Sequence, residues 1–268
     1  MNLYLSQIMS NKENDDIENY RHSIAHLLAA AVLELYPDTK HAIGPAIENG
    51  FYYDFEFSKP IHEDDLKTIE KKMRQLLPTW DKFQKQEVTP NEAKKQFKNN
   101  QYKIELINDF SEGKLTLYKS GNYVDLCKGG HVSSAKEIKS DSFMLSHLAG
   151  AYWKGNEKNP MLTRIYGLAF KTKKELDDYV KLLQEAKKRD HTVLGEKLEL
   201  FTHFDLIGKG LPVWLPKGEI IRNEIEKFAL EVENKAGYLR VSTPHLAKKE
   251  LFLKSGHLPY YEDSMYPS

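Results

Sequence analysis

Residues 15–36 read DDIENYRHSIAHLLAAAVLELY, and this stretch sets the fold class. It is rich in Ala and Leu and free of internal Gly and Pro, so helix propensity is high. Asp15 followed by Glu18 resembles a capping box, which starts the predicted helix at residue 15. Ile17, Tyr20, Ile24, Leu27, Leu28, Ala31 and Leu35 recur at three- and four-residue steps and predict a single apolar stripe. His22 and His26, four residues apart, share a face. At about 100° per residue that face lies opposite the stripe, among the small residues Ala25, Ala29 and Ala30. Two imidazoles with small neighbours suit the wall of a pocket. By itself, such a pair also occurs with no functional role.

A second constellation lies in YVDLCKGGH, residues 123–131. Tyr123 to Cys127 alternates like a strand, and Lys128-Gly129-Gly130 turns the chain. Asp125, Cys127 and His131 therefore fall at a strand end, a placement suited to a site. A lone Cys is by default a small buried hydrophobe. Two imidazoles, an imidazole–thiol pair and a carboxylate together form the inventory of a hydrolytic or metal centre.

Around these motifs the pattern predicts an α+β order. Asn49-Gly50, between AIGPAI and FYYDFEF, is a hairpin signal. A charged helix is expected over 62–77, ending near Pro78, followed by a strand in FQKQEV and a helix starting at Thr89-Pro90-Asn91-Glu92. Strands are expected at Tyr102–Leu106, Leu115–Tyr118, Tyr123–Cys127, Phe143–His147 and Arg164–Phe170. From Thr172 to about Phe201 one long, charged connecting helix is predicted, and another helix from about Glu219 to Lys235.

Composition narrows the function. The 268 residues balance 39 Lys and Arg against 39 Asp and Glu, so no global field attracts nucleic acid and RNA binding requires local patches. The candidates are Lys71-Lys72-Arg74, Lys94-Lys95-Lys98, Lys171-Lys173-Lys174 and Lys187-Lys188-Arg189, each equally readable as a solvated helix face. One cysteine excludes an internal disulfide and fits a reducing, cytoplasmic setting. No apolar run of membrane-spanning length is present.

Several segments resemble the bacterial threonyl-tRNA synthetase family. They are His22-Ser23-x-x-His26, AIGPAIENGFYYDF at 42–55, YVDLCKGGH at 123–131, AGAYWKG at 149–155, RIYG at 164–167, KRDH at 188–191, Gly237 to Pro244, and SGH at 255–257. The resemblance implies an editing domain over 1–170, shared with alanyl-tRNA editing proteins, and a linker helix over 171–203. It further implies the start of a class II synthetase α/β core over 204–268, with Gly237 to Pro244 as motif 1. The family's small N-terminal ubiquitin-like domain, motifs 2 and 3, the Cys and two His that bind the synthetic-site zinc, and the anticodon-binding domain have no counterpart here. The chain is therefore expected to be a partial synthetase. Gly130 stands where the family usually has Pro, which is expected to loosen the 128–131 loop.

The implied activity is hydrolytic editing of mischarged Ser-tRNA(Thr), with ATP-dependent threonylation belonging to the full-length enzyme. The need is physical. A pocket accepting threonine rejects serine only through one missing methyl group, about 1–3 kcal/mol, so a second site must hydrolyse the smaller product. By resemblance Lys103 is the editing lysine and Tyr53 a pocket tyrosine. Lys103 and one of His22 and His26 are assigned to water activation and leaving-group protonation. Asp125 is assigned to the seryl ammonium, and Cys127 and His131 to shaping the pocket against threonine's methyl. The resemblance implies no metal in this region. Zinc held by His22, His26, Cys127 and His131, as in the alanyl-editing relatives, is the alternative. The full-length family uses ATP, magnesium and zinc, binds tRNA(Thr), forms a homodimer and is cytoplasmic, without a membrane partner. Two other readings remain open: a non-catalytic tRNA-binding remnant, and a free-standing zinc-dependent trans-editing deacylase.

Overall fold

A computed structural model describes residues 2–109, 113–208 and 210–265, with side chains described from Asp15 onward. The chain divides into two units, residues 1–185 and 186–268.

The first unit opens with helix α1 (Asn2–Leu35). The helix runs through Asp15, so the expected cap there is not formed. The single apolar stripe is also too narrow a description. Every residue from Ser23 to Val32 is buried, so this part of the helix is enclosed on all sides. Its Ala/Leu composition fits a buried helix better than an amphipathic one.

Strands β1 (Lys40–His41), β2 (Ala46–Ile47) and β3 (Gly50–Glu56) follow. The Asn49-Gly50 hairpin forms, with Ile47 opposite Gly50 and Asn49 at φ 66°. A Cβ on Gly50 would come within 2.0 Å of the Gly167 carbonyl oxygen, so only glycine permits this strand approach. Helix α2 (Asp65–Leu76) ends in a short 3₁₀ turn containing Pro78. Strand β4 (Gln84–Val88) leads to α3 (Pro90–Gln96), which begins with a complete Thr89/Glu92 capping box.

Tyr102–Leu106, expected as a strand, is instead part of helix α4 (Gln101–Asp109). The Tyr-x-Ile-x-Leu alternation misled. The Asn100 side chain accepts the Lys103 N–H at 3.3 Å and caps a helix, whose buried residues are Tyr102, Lys103 and Ile107.

Strands β5 (Leu115–Ser120), β6 (Tyr123–Leu126), β7 (Phe143–Tyr152) and β8 (Met161–Ala169) complete two antiparallel sheets. One has the order β1-β3-β8-β7, with β2 also paired to β3; the other is β4-β5-β6. Phe51, Tyr53 and Phe55 alternate inward from β3 and join Ile24, Leu27 and Leu28 of α1 in the main core. Glu70 of α2 accepts the Leu145 N–H at 2.7 Å and pairs with Arg74, whose Nε donates to the Ser140 carbonyl, so α2 is fastened to β7. Lys72 pairs with Glu34 at 2.6 Å. The 71–74 basic cluster thus serves the fold as well as the surface.

The predicted long connector is broken. Helix α5 (Lys173–Lys188) stops, and Asp190 caps a separate α6 (His191–Lys197) by accepting the N–H groups of Thr192 and Val193. An Asp with free lone pairs two residues past a helix end competes with continuation of that helix. The second unit continues with β9 (Phe201–Thr202), β10 (Val213–Trp214), α7 (Pro216–Lys235) and α8 (Lys249–Lys254). Trp214, Ile220, Ile225 and Phe228 are exposed there. Among the described residues no helix is long and apolar enough to cross a membrane.

Candidate active site

Helix α1 brings the half-buried His22 and the buried His26 against the end of β6 and the turn after it. His22 Nε2 lies 3.0 Å from Cys127 Sγ, and His131 Nε2 lies 3.5 Å from the same sulfur. The rings of His22, His26 and His131 are 4.4–4.8 Å apart, centroid to centroid. One ligand atom from each of His22, His26, Cys127 and His131 falls within 4.8 Å of all the others. Two sequence motifs about a hundred residues apart therefore meet in one place.

The turn that presents His131 has Gly129 and Gly130 at φ 110° and 87°. Proline, fixed near −65°, cannot take the second of these conformations. The Gly129 N–H donates to Cys127 Sγ at 3.2 Å.

Ser23 settles the state of His131. Its hydroxyl donates to the Asn19 carbonyl at 2.8 Å and accepts the Val132 N–H at 3.1 Å. A hydroxyl has one proton to give, so His131 Nδ1, 3.3 Å from Ser23 Oγ, is the donor of that pair. The Nε2 lone pair then faces the thiol. Phe83 stacks flat on the ring at 4.6 Å.

A second cluster adjoins the first. The Asp125 carboxylate, 2 % exposed, receives Lys103 Nζ at 2.5 Å, Tyr53 OH at 2.5 Å, Tyr123 OH at 2.9 Å and the Leu126 N–H at 2.8 Å. Lys103 also donates to Tyr53 OH at 3.2 Å. His26 Nε2 stands 3.8 Å from Asp125 and links the two groups. With its lone pairs so occupied, Asp125 is better placed to hold Lys103 than to receive a substrate ammonium. His22, His26, Tyr53, Lys103, Asp125 and Cys127 all border one cavity of about 530 Å³.

Burial governs the electrostatics. It lowers His22, and His26 well below the usual imidazole range, against the opposing charge of Asp125. It brings His131 down to about 3 and lifts the Cys127 thiol to about 11. Burial also pushes the Asp125 carboxyl up, but the Lys103 charge and the His41 and His26 imidazoles outweigh it and hold the group well below its ordinary value. At neutral pH the site thus combines neutral imidazoles, a neutral thiol and a buried lysine–aspartate pair.

These shifts carry a pH prediction. The buried His26 and His41 and the half-buried His22 and His131 hold protons less tightly folded than unfolded. As pH falls, the unfolded chain protonates first, so stability is full above about pH 6.5 and declines below it. Urea midpoints should be lower at pH 5 than at pH 7.5; equal midpoints would contradict neutral, buried imidazoles.

His41, Tyr123, Ser23 and Asn100 are site residues that the sequence did not single out. Tyr123 and Ser23 lie inside the quoted motifs, and the other two have no spacing signal.

The donor set also fits a metal. Three imidazoles with available nitrogens and a sulfur make a chemically complete tetrahedral zinc set. Ser23 fixes the His131 ring in the orientation that a ligand would need.

Residues 115–166 match the threonyl and alanyl tRNA synthetase second additional domain. The chain is 49% identical over 255 residues to a threonine–tRNA ligase of Borreliella burgdorferi, covering 95% of this chain and 44% of that protein. It is 46% identical over 261 residues to one of Dehalococcoides mccartyi, covering 97% and 44%. Against one of Staphylococcus aureus it is 45% identical over 262 residues, covering 97% and 40%. The chain thus spans less than half the length of the curated relatives it matches.

Proposed function

We propose that this chain, a relative of the threonine–tRNA ligases along nearly all of its length, hydrolyses seryl esters of tRNA(Thr) at the cavity between α1 and β6. The observation that carries the reading is the meeting of neutral imidazoles and the Lys103–Asp125 pair on that one cavity. Hydrolysis adds water to the ester carbonyl, forms an oxyanion and breaks the bond to the ribose oxygen, which leaves with a proton. His22 or His26, neutral through burial, is suited to take the proton from water. Lys103 supplies a positive donor for the oxyanion or the leaving oxygen. Tyr53 and Asp125 hold Lys103 in place, and Cys127 narrows the pocket where threonine's extra methyl would sit, with His131 behind it at 3.5 Å from the sulfur rather than on the cavity wall.

Threonylation with ATP and magnesium, the synthetic-site zinc, tRNA(Thr) as partner, a homodimer and cytoplasmic residence all belong to this reading as properties of the longer relatives. Residues 204–268 are read as the opening of a class II core. The exposed Ile220, Ile225 and Phe228 of α7 support this, since such side chains pack inside a larger domain.

The close grouping of His22, His26, Cys127 and His131 favours a second reading in which these four hold zinc. Bound zinc supplies Lewis acidity to a carbonyl and lowers the pKa of its water. Cys127 would then bind as the thiolate.

The test is deacylation by the purified chain. It should hydrolyse Ser-tRNA(Thr) and spare Thr-tRNA(Thr), with a rate unchanged by chelation. A rate abolished by chelator and restored by zinc would select the metal reading. Binding of tRNA with hydrolysis of neither ester would overturn both and leave a tRNA-binding remnant.

A further inference from the structure

Asn100 and His41 have no part in the chemistry above, yet both are buried beside it. Asn100 immediately precedes α4 and is 8% exposed. Its Oδ1 accepts the Lys103 N–H at 3.3 Å, so the amide caps the helix that carries the lysine. With the oxygen turned that way, Nδ2 faces β1. It donates to the His41 carbonyl at 2.8 Å and lies 3.4 Å from His41 Nδ1.

An amide nitrogen only donates. His41 Nδ1 therefore presents its lone pair, and the proton of the neutral ring is on Nε2. Burial favours that neutral form. Nε2 lies 3.4 Å from Asp125 Oδ1, the oxygen that also receives Lys103 Nζ at 2.5 Å. The approach falls short of hydrogen-bond geometry, so this buried nitrogen has no hydrogen-bond partner. A histidine serving only as packing would leave a buried N–H facing a carboxylate for no return, where leucine would fill the space without a polar atom.

We propose that Asn100 and His41 form a positioning pair that holds the Asp125 carboxylate against Lys103. One amide fixes both sides of the ion pair. Its oxygen sets the first turn of α4, and its nitrogen sets the ring that braces Asp125. The activity consequence rests on the hydrolytic reading; the tautomer of His41 does not.

The experiment uses the whole chain. ¹⁵N-resolved NMR of the imidazoles should find His41 protonated on Nε2. Asn100→Asp keeps the capping oxygen but replaces the donor with an acceptor, and should move the His41 proton to Nδ1. With Ser-tRNA(Thr), His41→Leu and Asn100→Asp should each lower kcat about tenfold with KM unchanged, the lower end of what loss of a supporting shell costs. His41→Gln, which carries an N–H near the Nε2 position, should recover most of that loss. An Nδ1-protonated His41 in the unaltered chain overturns the proposal. So does an unchanged kcat in His41→Leu, or a His41→Gln no better than the leucine. If the unaltered chain hydrolyses no ester, the hydrolytic reading alone fails, and the His41 tautomer in the unaltered and Asn100→Asp chains still decides the positioning.

Discussion

Lys103→Ala is expected to slow hydrolysis of Ser-tRNA(Thr) by about a hundredfold or more, the scale of losing one proton-transfer or oxyanion group. Affinity for tRNA should barely change, because phosphate contacts come from exposed cations and Lys103 is 1% exposed. The substitution also leaves the Asp125 carboxylate buried without its cation, which costs stability, typically about 3–5 kcal/mol for a broken buried pair. Activity and stability must therefore be read separately. Lys103→Ala combined with Asp125→Asn removes the unpaired charge; Tyr53 and Tyr123, which both donate to Oδ2, remain to bond the amide oxygen. Stability should return while hydrolysis stays low. Recovery of hydrolysis along with stability would show that Lys103 acts only on the fold.

Arg164→Ala should produce the largest loss of stability in a position remote from the cavity. Asp54 on β3 is buried, and Arg164 on the adjacent β8 donates to both its oxygens, from Nε at 2.7 Å and Nη2 at 2.9 Å. The guanidinium also lies flat over the Tyr52 ring, 3.7 Å from its centroid. Truncation removes the bidentate partner and the cation–π contact together and strands a buried carboxylate. A loss of about 3 kcal/mol is expected, at the low end for buried pairs because Arg164 is itself partly exposed. Urea denaturation at constant slope would measure it. Asp54→Asn/Arg164→Met, which leaves no charge to strand, should recover most of the loss. A shift below about 0.5 kcal/mol for Arg164→Ala would place this pair with ordinary surface ion pairs.

Some of the site was legible because local chemistry specified it. The H-x-x-x-H pair needs only helical spacing, and the Cys127–His131 pair only a strand end followed by two glycines. The Asn49-Gly50 hairpin and the Thr89/Glu92 capping box are equally local, and both form. Lys103 shows where such reading stops. Alternation in QYKIEL matched a strand, and the deciding element was Asn100, whose side chain caps α4 and turns Lys103 inward. Asp190 acted in the same way on the predicted connector, ending one helix by capping the next.

Helix spacing, turn chemistry and the residue types of a hydrolytic or metal centre were therefore determined by the sequence itself, because each depends on neighbours within a few positions. Only the tertiary structure decided that the 23–32 stretch of α1 is enclosed on all sides. It also decided that Asp125 is spent on Lys103, Tyr53 and Tyr123, and that His41 joins them. Those outcomes depend on which surfaces of distant segments meet, and on the burial that follows. Burial turns the histidines into neutral bases and gives one carboxylate the strength to organise the groups around it.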